Sequence, residues 1–288
     1  MTGVDWIQNQ LQSHSMFRPY AALVDGTIEY HGNQAAYTPD PIAIGAVGGS
    51  GTRVLAQVLT EAGVAMATPS NEAHDALEWP PMKMIINRPR LQKIPLDQRM
   101  HAAFWGLEQL LYARRQELGL SGRVGWKVPA THLWLRELGN YFPGFQYIHI
   151  LRNGLDMAYS RNQRQLRMWG KSLGIHTHFD GDGMAPPQDA LEYWLLANEN
   201  AMRCADALQG QFLLVRFEEL CRAPFEQLER VFSFLRLDLP VERRRQLAAF
   251  IKTPHTSNRY AQYDWQNDFS PTQLERLRAF DYIPGTST

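Results

Sequence analysis

Pro41-Ile-Ala-Ile-Gly-Ala-Val-Gly-Gly-Ser-Gly-Thr-Arg53 is the stretch whose reading decides the fold. It opens as a short apolar run suited to a buried strand, and residues 52–62 then read as a helix. Leu55, Val58 and Leu59 share one side of that helix at i, i+3 and i+4, and Gly63 stands at the C-cap position. Between strand and helix lie the glycines, which take positive φ and let a backbone approach a ligand closely. Their N–H groups, with those of the first helical turn, are suited to cradle a phosphate. Ser50 and Thr52 add hydroxyls, and Arg53 adds a guanidinium fork that matches phosphate geometry. Gly48, Gly49, Ser50, Gly51, Thr52 and Arg53 are therefore the first candidate site. A tight strand-to-helix connection without a ligand is the plain alternative.

Outward from this unit, strands at 123–128, 145–151 and 212–217 alternate with helices at 97–118, 155–166, 188–208 and 225–235. Alternation of this kind predicts an α/β fold: a P-loop-like three-layer α/β/α arrangement around a largely parallel sheet. Residues 70–79 read as an acidic, partly helical segment and 131–138 as a short helix. Residues 167–187, rich in Gly, Pro and His, read as a mobile loop or lid. A short helix near 242–250 is followed by a polar stretch, 252–268, and by a helix at 271–280 with Ser270 as its N-cap. Residues 1–40 read as an extension and 41–288 as one domain, because no linker or compositional break divides them.

Composition bounds the function. The chain has 288 residues with 44% hydrophobic and 20% charged, which is ordinary for a globular protein with a sizeable core. Its 29 basic and 29 acidic residues cancel, which argues against broad nucleic-acid binding but leaves room for one cationic pocket. Cys204 and Cys221 are the only cysteines, so a disulfide framework and a cysteine-rich metal site are set aside and both are expected to be buried thiols. No secretory signal or apolar run of about 18 residues is visible, so a soluble, cytoplasmic protein is expected.

The glycine turn lacks the lysine of a Walker A loop, since Ser50-Gly51-Thr52 stands where Gly-Lys-Ser/Thr would be. It is also a poor dinucleotide fingerprint, because the glycine spacing differs and no acidic residue follows a second strand at the right distance. A second element narrows the reading. Arg152 ends the strand Gln146-Tyr-Ile-His-Ile-Leu, and Ser160 is expected inside the helix that follows, so both are placed to meet a second phosphate. Asp156 stands near that helix start, where a carboxylate is welcome, and reads as structural.

With these residues in view, the chain resembles the sulfotransferases that use 3′-phosphoadenosine 5′-phosphosulfate (PAPS). Gly48-Gly-Ser-Gly-Thr-Arg53 looks like a variant of their Pro-Lys-Ser-Gly-Thr-Thr-like phosphosulfate turn. His149-Ile-Leu-Arg152-Asn-Gly-Leu-Asp156-Met-Ala-Tyr-Ser160 is similar to their 3′-phosphate motif. Trp126-Lys127-Val128-Pro129 resembles the family's Lys-x-Pro strand, and Phe212-Leu-Leu-Val-Arg-Phe-Glu-Glu-Leu220 its later strand, where Arg216 and Glu218 read as framework. The resemblance implies PAPS as donor, adenosine 3′,5′-bisphosphate (PAP) as product, and Arg152 and Ser160 as 3′-phosphate ligands. It departs at Gly49, which occupies the place of the family's bridging lysine. Arg53 is the nearest replacement and Lys127 the alternative.

Sulfuryl transfer also needs a base near the acceptor proton. Glu72, His74 and Asp75 are candidates, Glu72 first, with His132 a further one. No metal is called for, and His176-x-His178 reads as solvated or substrate-facing. Trp169, His176, His178 and Tyr193 are expected to shape a pocket for a small-molecule, sugar or lipid-linked acceptor; the tryptophans could equally be core, and core is the default for Trp194. A non-catalytic nucleotide-binding protein and a small-molecule phosphotransferase are the competing readings.

Overall fold

In the computed structural model the described residues are 35, 37–66, 70–87, 89–119 and 122–282. The expected extension, 1–40, falls almost wholly outside them. The elements run β1 (Ile42–Ala46), α1 (Thr52–Glu61), β2 (Ala65–Met66), α2 (Met82–Asn87), α3 (Leu96–Glu117) and β3 (Val124–Lys127). Next come α4 (Leu135–Tyr141), β4 (Gln146–Leu151), α5 (Gly154–Ala158), α6 (Arg164–Trp169), α7 (Pro187–Ala207) and β5 (Phe212–Arg216). Helices α8 (Phe217–Arg222), α9 (Pro224–Leu235), α10 (Val241–Ala248), α11 (Trp265–Asp268) and α12 (Pro271–Arg278) complete the described chain.

The strands form one five-stranded sheet in the order β2-β3-β1-β4-β5. Strand β2 pairs parallel with β3, Ala65 opposite Val124, and β4 pairs parallel with β5 from Tyr147–Phe212 to Leu151–Arg216. This is the expected α/β fold, a mostly parallel sheet flanked by helices. Strand β1 is central, with the next two strands on one side of it and the last two on the other. The strand order therefore reverses at β1, and ligands of such sheets bind beyond the carboxyl end of the strand at that switch point. The glycine turn is what lies there.

The chain divides into two compact units. The first holds the beginning of β1, the end of α1, and 59–128 and 134–146. Its long helix α3 buries Glu108, which accepts the N–H groups of Tyr37 (2.7 Å) and Thr38 (3.1 Å) and the Tyr141 hydroxyl (2.8 Å). Arg114, buried on the same helix, pairs with Glu78 and donates to the Gly125 carbonyl (3.3 Å). Burial raises the Glu78 carboxyl above its ordinary range against the pull of Arg114.

The second unit holds 44–58, 129–133 and everything from Tyr147 onward. Leu55 and Val58 of α1 are fully buried, as is Leu59 where the helix enters the first unit. The helix closes with Gly63 N–H bonded to Thr60 O (3.0 Å) and Val64 N–H to Leu59 O (3.0 Å), the paired bonds of a glycine-terminated helix. The C-terminal helix α12 carries the full capping box that Ser270 suggests.

Several local expectations are corrected. Segment 70–79 holds turns rather than helix. Asn71 Oδ1 accepts the N–H groups of Ala73 and Asp75, both at 2.9 Å, and so offers the backbone an alternative to helical bonds. Helix α2 was not foreseen. Residues 129–134 form a 3-10 helix ahead of α4. The helix expected over 155–166 is broken into α5 and α6, so Ser160 lies beyond the end of α5 instead of inside a helix. Both cysteines are half-buried rather than buried. Among the described residues no helix is long and apolar enough to cross a membrane.

Candidate functional site

The glycine turn is held from within and from one side. Ser50 donates both its N–H (3.2 Å) and its hydroxyl (2.7 Å) to the Val47 carbonyl, so its proton serves the turn. Gly49 and Gly51 have φ of +98° and +90°, a region that side-chain-bearing residues rarely adopt. A Cβ on Gly51 would lie 2.2 Å from Phe217 Cε2, and one on Gly49 would lie 3.2 Å from Met157 Cε. Gly49, the position to which the resemblance gives a lysine, thus has a backbone conformation that disfavours any side chain. Helix α1 begins at Thr52 with no acidic residue in its first turn, which leaves its N-terminal N–H groups and dipole to an anion. Arg53 is exposed there and Thr52 is buried.

Arg152 reaches this turn from the end of β4. Its Nη1 donates to the Gly49 carbonyl at 3.1 Å. Its Nη2 donates to Thr256 O (2.9 Å) and Oγ1 (3.1 Å), and its guanidinium lies 5.0 Å over the Phe217 ring. Phe217 therefore touches both the glycine turn and the arginine. Buried Asp156 sits 3.6 Å from Arg152 Nη2 and accepts the N–H groups of Asn258 (2.9 Å) and Tyr260 (3.5 Å). The reading of Asp156 as structural holds: it fastens a distant turn beside Arg152.

That turn brings a residue the sequence reading passed over. Arg259 donates from Nε to Thr256 O (3.3 Å). Burial, and then the positive charge of Arg152, push its pKa below the ordinary guanidinium value. Two mutually repelling guanidiniums, with Arg152 Nε buried and unpartnered, have the donor set an anion satisfies. Ser160 is buried nearby in sequence, and its Oγ accepts the Asn162 N–H (3.2 Å). Only an arginine within the polar stretch 252–268 hinted at this turn.

Other candidates take structural parts. Glu218 accepts from Asn153 N–H (2.9 Å) and the Tyr282 hydroxyl (2.8 Å), and Arg216 donates to Phe280 O (2.6 Å), so both are framework. Trp194 is buried, as its default reading as a core residue has it, and Tyr193, expected in a pocket, is buried too. Trp194 Nε1 donates to the Arg152 carbonyl (3.0 Å) and steadies its backbone. The 167–187 segment is tied down rather than free. Ala185 N–H bonds Gln163 Oε1 (2.6 Å), Arg167 donates to Gly183 O (2.5 Å), and Arg167 also covers the Phe179 ring.

His132 is buried and its pKa is pushed down to about 3, mainly by burial, then by His149, against its hydrogen bond to Gln165. It stays neutral and is a weak proton acceptor, since a general base works best with a pKa near the operating pH. In the first unit, buried Lys127 donates to the Ala73 carbonyl (2.5 Å) and pairs with Asp75. Glu72 and His74 are exposed on the same segment, His74 at φ +59°. Among the described residues no cluster of His, Cys, Asp and Glu is arranged to hold a metal.

Comparison with known proteins adds an independent line. Among curated proteins none matches this chain significantly. Among solved structures, the sulfotransferase domain of the Synechococcus PCC 7002 olefin synthase is 15% identical with a TM-score of 0.50, covering 89% of this chain and 100% of that one. Sulfotransferase STF9 from Mycobacterium avium is 15% identical with a TM-score of 0.49, over 96% of this chain and 82% of that one. Mouse sulfotransferase SULT7A1, solved with PAP, is 15% identical with a TM-score of 0.42, over 91% and 85%. At such identities the olefin synthase domain speaks for a shared fold alone. The sequence model described as the sulfotransferase family matches residues 41–241, more than half of the chain, from β1 and the glycine turn past Arg152, Ser160 and β5. This chain belongs to the sulfotransferase family of enzymes.

Proposed function

We propose that the protein transfers a sulfuryl group from PAPS to a hydroxyl or amine of a small-molecule, sugar or lipid-linked acceptor and releases PAP. The observation that carries this reading is Arg152, which ties the Gly49 carbonyl to the turn bearing Arg259. A ligand with phosphate at both ends of a nucleoside matches a backbone cradle joined to a guanidinium pair. Gly48 to Arg53 and the start of α1 are assigned to the 5′ end, and Arg152, Ser160 and Arg259 to the 3′-phosphate. Residues 41–288 are taken as one catalytic domain, a reading supported by a family match that runs through both compact units.

In the transfer, the acceptor atom bonds to sulfur as the sulfur–oxygen bond to the 5′-phosphate breaks, and the acceptor proton passes to a base. Turn N–H groups and Arg53 are assigned to the charge that builds on the departing oxygen, with Lys127 as the alternative cation. Glu72, then His74, are the proposed bases. A cavity of about 380 Å³ bordered by Tyr159, His178, Met184, Pro187 and Tyr263 shares no residue with the glycine turn, so it is not assigned to the acceptor.

Calorimetry with PAP and with Mg-ATP tests the donor. PAP is expected to bind without magnesium, and Arg152→Ala to weaken it by about 30-fold, the scale of a charge-assisted contact. Binding of Mg-ATP alone overturns the reading. The second reading, a nucleotide-binding protein without turnover, rests on Gly49 and its missing ammonium. Labelled sulfate passing from PAPS to any member of an acceptor panel rejects it.

A further inference from the structure

One polar side chain that holds three partners beside the glycine turn belongs to none of the motifs. Gln165, on α6, donates from Nε2 to the Ala46 carbonyl at 3.1 Å. Ala46 is the last residue of β1, so this bond fixes the peptide at which the strand becomes the turn. Gln165 Oε1 accepts from the Tyr193 hydroxyl (3.2 Å) and faces His132 Nε2 (3.3 Å). Its stem lies against the turn itself, since a methyl group on Gly48 would sit 3.7 Å from Gln165 Cδ.

These contacts leave one orientation for the amide. With Nε2 committed to a carbonyl, Oε1 must be the acceptor, so His132 carries its proton on Nε2 and leaves Nδ1 bare. That Nδ1 is buried and without a partner. A flipped amide would set oxygen against the Ala46 carbonyl oxygen and its NH2 group against the His132 donor. The Ala46 carbonyl therefore sets the orientation of the Gln165 amide, and neutral His132 and Tyr193 support it from the oxygen side. Tyr193 and His132 reach Gln165 from α7 and from the 3-10 helix after β3 respectively, so three segments converge on one amide.

We propose that Gln165 is a positioning residue that sets the geometry of the 5′-phosphate turn through the Ala46 carbonyl. It touches no reacting atom and acts through the turn's backbone N–H groups. The inference rests on the assignment of that turn to the 5′ end of the donor. It predicts a selective defect, because Arg152 and the 256–260 turn make no contact through Gln165.

Calorimetry on the full-length protein compares PAP with adenosine 3′-monophosphate, which has no 5′-phosphate to lose. Gln165→Met keeps the length and removes every hydrogen bond. It is expected to weaken PAP about tenfold, the size of one well-placed hydrogen bond, and to leave the 3′-monophosphate unchanged. Tyr193→Phe removes only one support of Oε1 and is expected to show the same selectivity at about threefold. Equal weakening of both ligands, or unchanged PAP affinity in a folded variant, overturns the proposal. Should Gln165→Met fail to fold, Tyr193→Phe is judged by the same criterion. A wild-type protein that binds neither ligand defeats the donor assignment itself, so the two failures are told apart.

Discussion

The glycine turn and the Arg152 cluster, the two proposed anion sites, are built by opposite means. The turn is built from adjacent residues and offers backbone N–H groups, and Gly49 and Gly51 have conformations that a side chain disfavours. The cluster joins residues far apart in the chain: the Arg152 and Arg259 guanidiniums meet at the Thr256 carbonyl, and buried Asp156 holds the Asn258 N–H beside Arg152. A site made of backbone survives the loss of a lysine, because its donors belong to the chain itself. A site made of guanidiniums depends on whatever holds them. Phe217 joins the two, packing on Gly51 on one side and under Arg152 on the other.

The largest effect that would break this contrast is expected at Gly51. Gly51→Ala adds a methyl 2.2 Å from Phe217 Cε2 at a φ of +90°. Strain and overpacking are each worth about 1–3 kcal/mol. Because Phe217 must move, binding of adenosine 5′-monophosphate and of the 3′-monophosphate should both collapse in calorimetry, with a lowered Tm. Loss of the 5′ ligand alone would show that Phe217 does not couple the two sites.

Asp156→Ala comes next. It frees the 256–260 turn and should weaken the 3′-monophosphate about tenfold, the value of a buried hydrogen-bonded anchor, while 5′-monophosphate binding holds. Tighter 3′ binding instead would mean that the carboxylate's charge outweighs its scaffolding. The smallest effect is expected from Gly49→Lys. With φ at +98° and Met157 Cε in the way, the restored ammonium should lower kcat/KM a few-fold, in line with about 1 kcal/mol of backbone strain. A rise in kcat/KM would show that the turn accepts a side chain after all.

Much of this was legible in the chain. Strand, turn and helix around residues 41–62 follow from an apolar run, clustered glycines and Leu55, Val58 and Leu59 at helical spacing, all local features. Arg152 was visible because it ends a strongly apolar strand. Ser160 was placed wrongly, because helical propensity continues through 155–166 while the structure breaks between Ala158 and Arg164. Residues 70–79 misled for a similar reason, as the Asn71 side chain competes with the helix. Thr256 and Arg259 gave almost no signal, because a polar turn acquires a role only from what it is folded against.

The sequence by itself determined that an α/β sheet would carry a glycine turn at the end of its first strand and an arginine at the end of a later one. Chain-local physics suffices there: burial periodicity sets the elements, and glycine sets the turn. Only the tertiary structure decided that Arg152 grips Gly49, that Asp156 fastens the turn bearing Arg259, and that Gln165 braces Ala46. Each of these joins groups whose separation along the chain is large, and a hydrogen bond forms only when packing brings its donor and acceptor to about 3 Å.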